Sequence, residues 1–167
     1  MAVSVQRIRA EEWVLLRDIR LRSLLDSPDA FGQRYNEAAA STDDEWISTA
    51  RASATGDRRV WFFARDDVGG PVGVVQARRR PPADCLLFSM WVAPEARRLG
   101  VGASLVDAVQ EWGSGWGAER VVLWVLGANE AAMRFYEQIG FTLLSSGPDA
   151  DSGRAHGAFA MERLRAA

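Results

Sequence analysis

Ala93-Pro94-Glu95-Ala96-Arg97-Arg98-Leu99-Gly100-Val101-Gly102-Ala103 joins an apolar run that ends at Val92 to a helical pattern that begins near Gly100. A proline and two glycines in so short a connection mark a sharp passage from strand to helix. The start of a helix leaves backbone N–H groups without partners and carries the positive end of the helix dipole. Glycines at 100 and 102 let an anion approach that backbone, while Arg97 and Arg98 add positive charge, so the stretch reads as an anion cradle. A Gly-x-Gly also suits a plain tight turn with solvated arginines. Its surroundings decide between the two.

After the cradle, Val101, Leu105, Ala108, Val109 and Trp112 share one side of a helix running from about Gly100 to Gly113. Arg120 to Val125 follows as an apolar run without alternation, as expected of a strand covered on both faces. A helix from about Glu130 to Ile139 ends at Gly140, a common C-terminal signal. The tail reads as a strand from Phe141 to Ser145, a Gly/Asp/Ser loop, and a last strand from about Phe159 to Leu164.

Before the cradle, Val3 to Ile8 alternates like a first strand. From Glu11 to about Leu25 the pattern is helical, with Val14, Leu21, Leu24 and Leu25 on one face. Thr42 with Glu45 three residues on is a capping signal for a second helix that stops near Gly56. Three strands, Val60 to Arg65, Val72 to Arg78 and Leu86 to Val92, then form an antiparallel meander joined by turn-rich segments. The order is β-α-α-β-β-β-α-β-α-β-β. The one crossover, from Val92 to Arg120, puts two neighbouring strands parallel, and ligands of such sheets collect at strand carboxyl ends.

The 167 residues, 48% hydrophobic and 25% charged, have the size and composition of one globular domain spanning residues 1–167. A net charge of −2 argues against a nucleic-acid partner, since such domains carry a basic excess. Cys85 is the only cysteine, so no internal disulfide forms. With no membrane-length apolar run and no secretory leader at Met-Ala-Val, the expected location is the cytoplasm.

Two phosphate loops are excluded: the P-loop lacks its Gly-Lys-Ser/Thr, and the dinucleotide fingerprint lacks its third glycine where this chain has Leu105. What remains, Arg-x-x-Gly-x-Gly at Arg97, Gly100 and Gly102 behind Met90-Trp91-Val92, resembles the acetyl-CoA-binding signature of the GNAT superfamily of N-acetyltransferases. Asn129 to Phe141 is similar to the same family's Asn-x-x-Ala-x-x-Phe/Leu-Tyr-x-x-x-Gly-Phe segment. Arg20 to Gly32 resembles its first-helix region.

The resemblance implies a mixed α/β fold: a mostly antiparallel seven-stranded sheet with about four helices and one splayed parallel strand pair. It implies acetyl-CoA as acyl donor, a primary amine as acceptor and no metal. The pantetheine arm would pair with backbone of Met90, Trp91 and Val92, and the pyrophosphate would rest on N–H groups from Arg98 through Leu99, Gly100, Val101 and Gly102 to Ala103, with Arg97 nearby. Asn129 would bond the pantetheine region, Ala132 would allow close approach, the Val92 N–H would face the oxyanion, and Tyr136 would give the leaving thiolate its proton. Tyr136 also fits a core position beside Phe135.

No position announces itself as the general base: members of the family use different residues or ordered water, and Glu37, Asp84 and Ser89 are candidates by topology that read better as solvated or structural side chains. Phe31 and Tyr35 are the candidates for the acceptor pocket, and Trp46 and Trp61 fit either its wall or, as for most of the tryptophans, core packing; Trp112 and Trp124 are expected in the core, and His156 at the surface, away from any metal spacing. A homodimer is compatible with the family and leaves no mark in the sequence. An acyl-CoA-binding sensor without turnover is the alternative to an enzyme, and a nucleotide switch is disfavoured by the missing P-loop lysine.

Overall fold

The computed structural model describes residues 1–167. Strand β1 (Ser4–Arg7) leads through a single 3-10 turn into α1 (Trp13–Asp26). Helices α2 (Tyr35–Ala39) and α3 (Asp43–Thr55) follow, then strands β2 (Arg59–Arg65), β3 (Pro71–Arg80) and β4 (Asp84–Val92). Helix α4 (Val101–Gly115), β5 (Arg120–Leu126), α5 (Glu130–Gln138), β6 (Thr142–Leu143), α6 (Pro148–Ala155) and β7 (Ala158–Leu164) complete the chain. The seven strands form one sheet in the order β1-β2-β3-β4-β5-β7-β6, with β4 and β5 its one parallel pair.

The mixed sheet is the expected one, and the helices are six rather than about four. Helix α2 has Arg34 at its N-cap position, with Glu37 Oε2 accepting the Arg34 N–H at 2.9 Å. Helix α6 replaces the expected loop. Pro148 stands at its first turn with Asp149 and Asp151, and Trp124 Nε1 donates to the Asp149 carbonyl at 3.0 Å. At α3 the capping box is present, Thr42 Oγ1 accepting from the Glu45 N–H and Glu45 Oε2 from the Thr42 N–H.

The two faces of the sheet are covered differently. A Cβ at Gly73 of β3 would meet Leu105 of α4 at 3.1 Å, so odd-numbered β3 residues face α4. Gln76 and Arg78 point the other way, toward α1 and α3, together with Trp61 of β2, the register partner of Gln76. The core contains Phe63, Leu16, Leu105, Val74, Val75 and Met161, all fully buried. On α1 the buried residues are Leu16, Ile19, Arg20, Ser23 and Leu24, whereas Val14 and Leu25, expected on the inner face, are exposed. That face follows the i, i+3, i+4, i+7 pattern, but an arginine and a serine occupy two of its positions, which no purely apolar count selects.

Candidate active site

Strands β4 and β5 pair only at Asp84–Arg120, Cys85–Val121 and Leu86–Val122, and no pairing continues beyond. The closed end is fastened by charge. Arg120 Nε meets Asp84 Oδ1 at 2.7 Å, and Asp149 accepts from both Arg120 (3.1 Å) and Arg80 (2.8 Å). Asp84, a candidate base, is therefore occupied at the end of the strand away from the opening. Burial raises its pKa, but hydrogen bonds from Arg120 and Arg80 more than offset this and hold it below the usual carboxylate value.

At the open end β4 bulges. The register against β3 shifts between Val74 and Gln76, and Ser89 takes a φ of 55°, a left-handed conformation rare outside glycine. Beyond the bulge, Ala93 N–H donates to the Val72 carbonyl at 2.8 Å, which makes Gly73–Val92 a non-hydrogen-bonded pair of the ladder. The N–H and C=O of Val92 thus point away from β3 into the gap. Arg97 Nε reaches that carbonyl at 3.0 Å. By the same alternation the backbone groups of Trp91 turn toward Val74, so Trp91 does not offer the gap the backbone expected of it.

The cradle is a nest of free donors. None of the N–H groups from residue 98 to residue 103 finds a backbone acceptor, and Ser104 is the first to bond back, to the Gly100 carbonyl. Arg98 and Gly100 have φ of 63° and 78°, flanking Leu99 in the alternating backbone that turns successive N–H groups to one side. A Cβ at Gly100 would meet nothing within 4 Å, so the approach to these donors is open. Gly102 is different: a Cβ there would come within 2.9 Å of the Phe135 ring and 3.1 Å of Met90 Cε. Its lack of a side chain lets α4 close onto α5 and β4. Arg97 is held within the chain, its guanidinium tied to Asp26 Oδ2 at 2.5 Å, where Trp91 Nε1 also donates at 2.8 Å.

A cavity of about 890 Å³ opens from the gap. Met90, Asn129, Ala132 and Tyr136 line it on one side, and Arg20, Phe31, Glu37 and Arg78 on the other, with Ser89 also on its wall. Asn129 Oδ1 caps α5 by accepting the Ala132 N–H at 3.1 Å, leaving its side-chain N–H groups uncommitted. Tyr136 is 8% exposed, packed edge-on against Phe135 and Phe141. Burial pushes its phenol pKa well above the ordinary value. It therefore stays protonated at neutral pH.

Phe31 stands on the cavity wall as expected, while Tyr35 is exposed and outside it. Trp46 and Trp61 are buried and line a second, smaller cavity of about 200 Å³ next to the first. Trp112 packs edge-on with Trp116, and Trp124, expected in the core, forms cavity wall stacked on Phe88. His156 is exposed, at the rim of the main cavity, with Nδ1 2.8 Å from the Ser152 carbonyl. Arg20, Arg78, Gln33 and His156 were not among the residues singled out for the site by sequence. Cys85 lies buried under Gly113, its thiol pushed up to about 12 by desolvation, and lines neither cavity. No helix is long and apolar enough to cross a membrane.

The chain is similar to known proteins in sequence and in fold. A family model described as Acetyltransferase (GNAT) family matches residues 17–141. An uncharacterised N-acetyltransferase of Mycobacterium tuberculosis is 35% identical over 109 residues, 64% of this chain and 69% of that protein. A mycothiol acetyltransferase of Stackebrandtia nassauensis is 33% identical over 117 residues, covering 64% of this chain and 38% of that one. Among solved structures, the PaiA N-acetyltransferase of Thermoplasma acidophilum in complex with coenzyme A aligns with a TM-score of 0.78 over 99% of this chain and 100% of that chain, at 15% identity. With its splayed parallel strands, its open nest of amides and a family match over well more than half its length, the chain belongs to the Acetyltransferase (GNAT) family.

Proposed function

We propose that the protein transfers an acetyl group from acetyl-CoA to a primary amine by direct attack within a ternary complex. The observation that carries this reading is the Tyr136 side chain: its hydroxyl has no hydrogen-bond partner in the protein, and the residue lines the cavity that opens where β4 and β5 part. A tyrosine that merely filled the core would bury its hydroxyl against an acceptor.

The free amides of residues 98–103 fit a pyrophosphate, and the gap beside Val92 and Asn129 fits the extended pantetheine arm. When bound, acetyl-CoA supplies a thioester whose acyl carbon is the electrophile. The Val92 N–H, unpaired and facing the gap, is placed to stabilise negative charge that builds on the acyl oxygen. Tyr136 holds a proton at Oη for the departing sulfur.

The amine must lose a proton before it attacks. Two non-arginine titratable groups besides Tyr136 reach the cavity, Glu37 and His156. Glu37 caps α2. A carbonyl only accepts, so the contact with Ser152 fixes the His156 proton on Nδ1 and leaves Nε2 as the acceptor. His156 is our assignment for the base.

The test is thiol release from acetyl-CoA on addition of primary amines. Amine-dependent release is the expected result. Binding of CoA without release for any amine would favour the sensor reading.

A further inference from the structure

The buried face of α1 holds a cation without a counter-ion. Arg20 is 5% exposed, yet neither it nor Arg59 nor Arg78 takes part in any ion pair of the chain. The Arg20 guanidinium donates to Gln33 Oε1 from Nε (3.2 Å) and Nη2 (3.1 Å), and makes a long contact from Nη1 to Ser23 Oγ (3.5 Å). Of the five N–H donors in the fork, two are left over. Phe31 lies 4.7 Å from its centre and leaves the edge free. Arg78 donates only from Nε, to Gln76 Oε1 at 2.9 Å, and rests on Phe88.

Both arginines line both cavities, which also share Gln33 and Ser89. The smaller cavity ends on Trp61, whose buried indole Nε1–H has no acceptor. Thus three donor groups from α1, β2 and β3 converge on one small space, each with at least one N–H that has no acceptor in the protein.

Buried charges are ordinarily paired, because desolvating an unpaired one costs several kcal/mol. Here desolvation alone brings Arg20 down to about 10, and Arg78 is lowered by desolvation and then by repulsion from Arg59. The carboxylates at the same walls are engaged elsewhere: Glu37 holds the Arg34 N–H, and Glu45 holds the Thr42 N–H. The donor's phosphates are not the missing anion, since no residue from 97 to 103 lines either cavity.

We propose that Arg20 and Arg78 form a carboxylate-binding subsite, so that the acceptor is a free amino acid or a similarly small molecule carrying its carboxylate a few bonds from the amine. The amine half of this statement rests on the acetyltransferase reading; the carboxylate half rests on the arginines. A planar guanidinium fork takes a carboxylate in two parallel hydrogen bonds, and Trp61 offers a third donor to one beside it. A peptide amino terminus would bring an uncharged amide to the same place.

Calorimetric titration of the CoA-saturated protein with N-acetyl derivatives of the common amino acids, and with their carboxamides, reads the subsite without requiring turnover. At least one acid is expected to bind at least about tenfold more tightly than its carboxamide. Arg78→Gln should abolish that difference with CoA affinity unchanged. Arg20→Gln should do the same where a thermal melt shows it folded, and Arg78→Gln decides where it does not. Equal binding of acid and carboxamide, a difference that survives Arg78→Gln, or no binding of any acid would overturn the subsite. Thiol release is scored separately. Its substrates are the corresponding free amino acids and free amino-acid carboxamides. Amino acids whose N-acetyl forms bind but which never turn over remove the transfer reading and keep the subsite, whereas amino-acid carboxamides acetylated as fast as the free amino acids remove the subsite and keep the transfer.

Discussion

The Asp84 carboxylate and the Arg120 guanidinium meet at 2.7 Å across the closed end of the parallel pair, and the same two residues are its first register partners. One ion pair thus fixes where β4 and β5 are joined, and the gap begins after the third register pair. Asp84 is a clamp on the fold and lines neither cavity.

Asp84→Asn should therefore cost stability and leave chemistry intact. Losing one partner of a mostly buried network costs about 2 kcal/mol after allowance for partial exposure, and Tm should fall by about 4–8 °C. The folded pKa of Asp84 is depressed, so its contribution is present above the unfolded value near pH 4 and is lost as pH falls through the folded one. Melts between pH 7 and pH 2 should accordingly show a shallower acid decline in Asp84→Asn than in the wild type. A kcat reduced a hundredfold in the folded variant would instead restore Asp84 as a base.

Arg97 and Gly102 belong to one sequence motif and should separate in experiment. The Arg97 guanidinium is committed to Asp26 and the Val92 carbonyl, half exposed, so Arg97→Ala should change CoA affinity less than about threefold and stability by about 1 kcal/mol or less. Gly102→Glu pushes a side chain against Phe135 and Met90 and adds negative charge to the nest. Calorimetry should show CoA affinity lower by about 100-fold, equivalent to about 2.7 kcal/mol, with cooperative unfolding retained. A larger loss in Arg97→Ala than in Gly102→Glu would reverse the assignment.

His156→Ala should lower kcat by about 100-fold near neutral pH, the usual scale of a general base. The deficit should shrink at pH 9, where more of the amine is already neutral. Kinetics at both pH values with the same amine decide it. A deficit that does not change with pH would mean that His156 only shapes the rim.

Much of this was legible in the sequence because local chemistry and tertiary role agree. The strand-to-helix passage at 93–103 needs left-handed backbone at Gly100, and α5 announces itself by its stop at Gly140, whereas its cap at Asn129 came only with the structure. The run from Arg120 to Val125 lacks alternation because it is covered on both faces, as Val121, Val122, Leu123 and Val125 are all buried. Helix α6 was missed because its first turn is polar and Gly153 sits within it. That glycine is required by packing, since a Cβ there would meet the Ala158 carbonyl at 2.7 Å. The bulge at Ser89 carries no glycine to reveal it. Arg20 was hidden for a related reason. Charged residues on an amphipathic helix are assigned to solvent, and only the fold shows this one turned inward toward Gln33.

The most direct measurement is the comparison of Tyr136→Phe with the wild type in two readouts, steady-state thiol release and calorimetric CoA binding. Removing one hydroxyl at an 8% exposed site leaves the ring packing against Phe135 and Phe141, so CoA affinity should stay within about twofold. Turnover should fall by about 100-fold or more, the loss expected of a missing proton donor. Turnover equal to the wild type, with CoA bound as tightly, would contradict the role assigned to Tyr136 and the reading of the cavity built on it.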